Sequence, residues 1–177
     1  MLIIILIVVV VLVILFGLIV QMQPGTFRLE KSMQTFAPAA TVFANVNDFH
    51  RWDLWSPWIG IDKNLEQTYE GAPSGVGAGY SWVGKKTGAG RMTIVESRPN
   101  ELVKIKLEFL KPFRATNTAE FAFVPVGNHT VVTWAMYGEK TFITKFIHML
   151  CSMDTMVGPM FDKGLAKLKK VSEGTAG

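Results

Sequence analysis

Three groupings in this 177-residue sequence have the makings of chemistry. His148 and Cys151 stand three apart near the C-terminus, so on a helix they share a face and form a thiol–imidazole pair. That pair is a nucleophile or half a metal site, but no sequence feature supplies a third partner, and a buried cysteine commonly behaves as a small hydrophobe. Gly79-x4-Gly84-Lys85-Lys86 is one residue from a phosphate-binding loop. The position that must offer magnesium a hydroxyl holds Lys86, and glycine-studded, strand-like sequence follows where a helix is required. Asp53, Glu120, Asp154 and Tyr80 could act as general acids or bases if buried with raised pKa, yet nothing in the sequence pairs them. No catalytic residue, metal ligand or cofactor is therefore assigned.

Two further groupings are apolar. The stretch FHRWDLWSPW (49–58) holds Trp52, Trp55 and Trp58, three of the five tryptophans in the chain. Each indole offers a large apolar area and one N–H in need of an acceptor. Met149, Met153, Met156 and Met160 recur at spacings of four, three and four, a stripe along one helix face. Methionine tolerates irregular neighbours, so the stripe suits either an ordinary core or a cavity for varied apolar guests.

These residues need elements to position them. FRLEKSMQTF (27–36) reads as an opening strand, and Pro38 starts a short helix through Val46. Asn47-Asp48 caps a second short helix across the tryptophan stretch, ending near Pro57. ELVKIKLEFL (101–110) alternates Val103, Ile105, Leu107 and Phe109 against Lys104, Lys106 and Glu108, the signature of a half-buried strand. Strands are also expected at 91–97, 118–126 and 130–138, joined by short turns and hence antiparallel. From Thr141 to about Val171 the apolar period is helical, with Gly158-Pro159 expected to kink it. An apolar-faced sheet followed by one long amphipathic helix is solved by curling the sheet around the helix, which leaves apolar space between them.

The N-terminus is different in kind. Leu2 to Val20 is nineteen residues without a polar side chain, and at ~1.5 Å per residue it covers ~28 Å, close to a ~30 Å bilayer core. No basic n-region or small-x-small cleavage pattern accompanies it, so it is expected to be a retained single-pass anchor. Arg28 and Lys31 follow the span, which points the main domain to the cytoplasm. The net charge of +4 is mild, and the lysines at 163, 167, 169 and 170 read as the solvated face of a terminal helix, so nucleic acid is not an expected partner. The single cysteine excludes an intrachain disulfide.

Four strings, APAATVFANVNDFHRWDLWSPW, QTYEGAPSGVGAGYSW, GRMTIVESRPNELVKIKLEF and MDTMVGPMFDKGLAKLK, resemble the polyketide cyclase/dehydrase and lipid-transport family of the START-like (SRPBCC) superfamily. The resemblance spans Phe27 to Val171. It implies an α+β helix-grip fold, a curved antiparallel sheet wrapped around a long C-terminal helix. The expected organisation is an anchor at 1–21, a linker at 22–26, the helix-grip domain at 27–172 and a tail at 173–177. The implied function is binding of a lipid or other hydrophobic small molecule between sheet and last helix; the alternatives are a cyclase or dehydrase using the same cavity, or a ligand-free interaction domain. Trp55, Tyr80, Trp82, Phe109, Phe121, Trp134, Met153, Met156 and Met160 are the candidate lining residues.

Overall fold

The computed structural model describes residues 1–150 and 152–174. Cys151, and with it the His148–Cys151 pairing, lies outside the described residues. Helix α1 (Leu2–Gln21) has a mean hydropathy of 3.9 and is 6% buried, so by length and composition it is able to cross a membrane. Strand β1 (Thr26–Thr35) follows, then α2 (Ala39–Val46) and a 3-10 helix (Phe49–Leu54). Next come β2 (Glu66–Gly71), β3 (Ala78–Gly84), β4 (Gly88–Arg98), β5 (Leu102–Lys111), β6 (Ala115–Val126) and β7 (His129–Glu139). Two helices, α3 (Phe142–Leu150) and α4 (Met153–Ser172), close the fold.

All seven strands form one antiparallel sheet in the order β1-β7-β6-β5-β4-β3-β2, so the first strand joins the last and only β1 and β2 are edges. The curved sheet with its C-terminal helix is the α+β helix-grip arrangement that the sequence led us to expect. The alternation of β5 works as predicted: Val103 and Ile105 are fully buried, while Lys104 and Lys106 face outward and pair with Glu96 at 3.0 Å and Glu108 at 2.7 Å. Turn chemistry sets the connections. Asn100 and Gly127 occupy left-handed positions, φ 63° and 60°, in the β4–β5 and β6–β7 turns.

Local caps explain where the helices begin. Asp48 accepts a hydrogen bond from the His50 N–H at 2.9 Å and starts the 3-10 helix. Ser152 does the same for α4, accepting from Thr155 N–H at 3.1 Å. This second cap corrects the expectation of one helix from Thr141 to Val171: the chain breaks at Ser152, and α4 continues through Gly158-Pro159. The glycine-rich stretch is also more regular than its composition suggests. Gly79 and Gly84 lie within β3, and Gly84 to Gly88 is a tight turn between strands, with no helix at its end.

Helix α4 is fixed over β1 and β7 by Phe161, which stacks on Trp134 with ring centroids 3.9 Å apart and an interplanar angle of 13°. One turn further on, Gly164 allows this approach: a Cβ there would lie 2.9 Å from Trp134 Cζ3 and 3.0 Å from Pro57 Cδ. At the helix C-terminus, Glu173 accepts hydrogen bonds from Phe36 N–H at 3.0 Å and Thr35 Oγ1 at 2.8 Å, tying α4 to the end of β1.

Two outcomes follow. Alanine for a mid-helix glycine normally gains about 1 kcal/mol, whereas forcing a methyl into a rigid contact costs about 1–3 kcal/mol. Both neighbours of Gly164 are ring atoms held in the core, so Gly164→Ala is expected to destabilise the domain in denaturant titrations; a higher midpoint would show that the stack has slack. Glu173 has its pKa held below the ordinary carboxylate range, first by the Phe36 N–H and then by Thr35. A depressed folded pKa contributes stability above the ordinary value that is lost as pH falls through the lowered one. Glu173→Gln should therefore flatten the acid limb of stability against pH, and an unchanged limb would remove this contact from the account.

Candidate functional site

The inner face of the sheet is covered unevenly. Near the β4–β5 and β6–β7 turns it is sealed: Val103 and Phe121 are 0% exposed and Trp134 2%. One row along, Ala119 is 5% and Met136 6% exposed; in the next row Asn117 reaches 8%, and Leu107 and Met92 reach 9%. Beyond these, Trp82 and Phe109 are half-buried, their rings edge-to-face at 6.1 Å. The strand register places these residues side by side: Tyr80 opposes Met92, Met92 opposes Leu107, Leu107 opposes Asn117, and Asn117 opposes Gly138. This face is thus apolar, sealed at the turn end and less covered toward the end where β1 begins and β7 finishes. Two open clefts lie away from it, one of about 570 Å³ along α1 at Val9 to Ile19 and one of about 500 Å³ at Val83 to Ala89 with Lys111 and Pro112.

The closed end is the tryptophan stretch. Phe49, Trp52 and Trp55 are buried, and Trp55 packs edge-to-face on both Phe121 and Trp134. Their N–H groups do a second job: Trp52 Nε1 donates to the Val46 carbonyl at 2.9 Å and Trp55 Nε1 to the Asn45 carbonyl at 3.0 Å. Carbonyls in the last turn of a helix lack an intrahelical partner, so the indoles cap α2 while filling the core. Trp58 is half-buried against Trp134 and Phe161.

Trp134 itself ends up unsatisfied. Its Nε1 is buried and has no hydrogen-bond acceptor among the described residues. The Cζ3 edge of the indole faces Gly164 and Pro57 at the closed end. Phe121 and Phe161 stack on the indole at 4.9 and 3.9 Å, and Trp55 and Trp58 pack edge-to-face on it, so this donor is enclosed by rings.

The nine candidate lining residues therefore separate. Tyr80, Trp82 and Phe109 stand on the inner face toward the open end, with Met153 half-buried against the core from α4. Trp55, Phe121 and Trp134 form the plug at the closed end. Met160 is partly covered, and Met156 is 49% exposed on the outside of α4, so the methionine stripe is not brought onto one inward face. Sequence reasoning missed Asn117, Leu107, Met92 and Ala119. The alternation of β5 marked Leu107 as inward, but nothing marked Asn117, a polar residue in an apolar row.

The ionisable groups lie elsewhere. Asp53 is exposed, and Glu120 sits on the outer face, accepting from Tyr137 Oη at 3.1 Å with Lys104 and Arg28 each 3.8 Å away. Asp154 pairs with Lys31 at 2.7 Å; that hydrogen bond, ahead of a smaller opposing desolvation, raises the lysine pKa and keeps the ammonium charged. Burial pushes the Tyr80 hydroxyl up, ahead of the opposing effect of Gln67 Nε2, which donates to its oxygen at 3.0 Å, so it stays protonated at neutral pH. Among the described residues, no cluster of His, Cys, Asp and Glu is arranged to hold a metal.

With this geometry in place, the comparisons can be stated. Residues 26–173 match the model of the family described as polyketide cyclase/dehydrase and lipid transport. No curated protein matches the chain. Among solved structures, a Chromobacterium violaceum protein is similar at 16% identity and TM-score 0.57, with 85% of this chain and 98% of that one covered. A Thermobifida fusca protein aligns at 19% identity and TM-score 0.60, covering 84% and 94%. Truncated norcoclaurine synthase from Thalictrum flavum aligns at 14% identity and TM-score 0.61, covering 82% and 92%. At these identities the likeness shows the fold.

The capping role of the indoles has a measurable consequence. Trp55→Phe keeps most of the apolar contact but strands the Asn45 carbonyl, and an unsatisfied buried group costs about 1–3 kcal/mol. Equilibrium unfolding should register a loss of that size; a loss no larger than that of a surface substitution would mean the carbonyl is already solvated.

Proposed function

The chain belongs to the polyketide cyclase/dehydrase and lipid transport family, and from that membership we propose that it is a membrane-anchored binding module for a lipid or other elongated hydrophobic molecule. The observation that carries the proposal is the apolar inner face of β3 to β6, whose cover thins from fully buried Val103 and Phe121 to half-buried Trp82 and Phe109. Leu107, Met92, Ala119 and Met136 lie buried between these two ends, and a groove formed over them would be apolar throughout. Apolar area removed from water contributes ~25 cal/mol per Å², enough for useful affinity without any charged contact. The carboxylates lie outside the groove, which supports binding over acid–base catalysis as its use.

The tether follows from α1, whose twenty residues carry no charge and bury almost nothing within the protein. A bilayer removes that exposed surface from water, and Arg28 and Lys31 after the span support a cytoplasmic domain. Anchor, short linker and helix-grip domain then form one unit in which the guest is drawn from the membrane that holds the protein.

Photocrosslinking tests this. The full chain, reconstituted in phosphatidylcholine vesicles containing a phospholipid with a diazirine in its acyl chain, should give adducts on β5 and β6 as well as on α1. Ala119→Phe, which fills the floor of the groove, should remove the β5 and β6 adducts and leave those on α1. Adducts confined to residues 2–21 in both proteins would rule out the groove as a lipid site.

A further inference from the structure

Helix α3 has no assigned role. Its sequence, FITKFIHML, contains no acidic residue and is strongly amphipathic. Phe142 is 53% exposed, Ile143 49%, Phe146 37% and Met149 36%, four large apolar side chains at helical spacing on a surface that soluble proteins keep polar. The helix starts in order: Thr141 Oγ1 accepts from Thr144 N–H at 3.3 Å. Its apolar face therefore belongs to a formed element.

Its position says what covers that face. α3 packs against α1, with Phe146 edge-to-face on Phe16 at 5.8 Å. Beside this contact, Lys145 Nζ donates to the Gln21 carbonyl at the very end of α1, at 2.9 Å. Phe16 precedes Gln21 by five residues, so with α1 across a bilayer Phe146 would lie about 7.5 Å below the level at which α1 leaves the apolar layer, at ~1.5 Å per residue. Interfacial helices bury their apolar face ~5–10 Å into the boundary between headgroups and acyl chains, with lysines reaching back to the polar side. The depth and the lysine both match.

The same end of the sheet agrees. Antiparallel register puts the β5–β6 turn at the end where β1 begins, and that turn carries exposed Phe113 between Lys111 and Arg114, just after exposed Leu110 at the end of β5. Glu139 and Glu66 lie at this end too, and Asp62 is occupied by the N–H groups of Lys86 and Thr87.

We propose that α3 is an interfacial membrane helix, lying in the plane of the bilayer surface with Phe142, Ile143, Phe146 and Met149 in the acyl boundary and an anionic leaflet as its partner. This rests on α1 being a membrane span. It gives the anchor a second point of contact, which fixes the domain's orientation and turns the end of the sheet where β1 begins toward the lipid.

Depth-dependent fluorescence quenching separates the two claims. In the full chain with Cys151→Ser, single cysteines are introduced as Leu12→Cys, Ile143→Cys or Lys163→Cys and labelled with an environment-sensitive dye. The proteins are then reconstituted in vesicles of phosphatidylcholine and phosphatidylglycerol containing acyl-brominated lipid. The expected result is deep quenching at position 12, a depth of ~5–10 Å at position 143 and none at 163. Quenching at 12 with none at 143 overturns the α3 proposal and leaves the anchor standing. A dye at 143 that is blue-shifted but unquenched also overturns it, because the face is then covered by protein, a second copy included. No quenching at 12 overturns the anchor, and α3 with it.

Discussion

The contact between Trp134 and Phe161 is the constraint on which the rest of this structure depends. A stack at 3.9 Å holds α4 over β1 and β7 and not over the centre of the sheet. Gly164 is the condition of that closeness, since any side chain there would push the helix off the indole. With the last helix drawn to one side, the inner face of β4, β5 and β6 has to be covered by something else. At the turn end the tryptophan stretch supplies the cover, Trp55 bridging Phe121 and Trp134. At the other end Tyr80, Trp82 and Phe109 stand on the face themselves, and exposure rises row by row to half-buried Trp82 and Phe109.

This division explains why the same residue type serves opposite ends. Trp52 and Trp55 have carbonyl partners in the last turn of α2, so their N–H groups are satisfied and the residues are committed to structure. Trp134 is equally buried, yet its N–H is left over. Burial therefore commits two of these indoles to capping α2 and the third to ring stacking alone, with Phe121 and Phe161 on it.

Much of the fold was legible in the sequence, for physical reasons that also mark where legibility stops. Period-two alternation in 101–110 and the apolar span at 2–20 are strong because one side chain in two, or every side chain, must avoid water. The strand Glu66–Gly71 left no such trace: it is a six-residue edge strand whose side chains are partly or fully exposed throughout. The break between α3 and α4 was missed because apolar periodicity runs on across it, and only the Ser152 cap, a hydrogen bond of one side chain, interrupts it. The candidate site was legible as a set of inward faces, with Tyr80, Trp82 and Phe109 among them. Which end is plugged was not, because that depends on where Phe161 lands.

The break at Ser152 has a further consequence. A single helix from Thr141 to Val171 would be one rigid rod, and its first turns would have to point wherever α4 points. Separate caps at Thr141 and Ser152 uncouple the two directions. α4 is tied to β1 by Lys31–Asp154 at one end and Glu173 at the other. α3 is then free to turn its phenylalanines away from the core and against α1, where Phe16 meets Phe146. The apolar residues of 142–149 that sequence periodicity assigns to the core are thus the ones the fold leaves outside. A chain that exposes them beside a membrane-length helix has placed them where burial in lipid costs no competing contact with the domain.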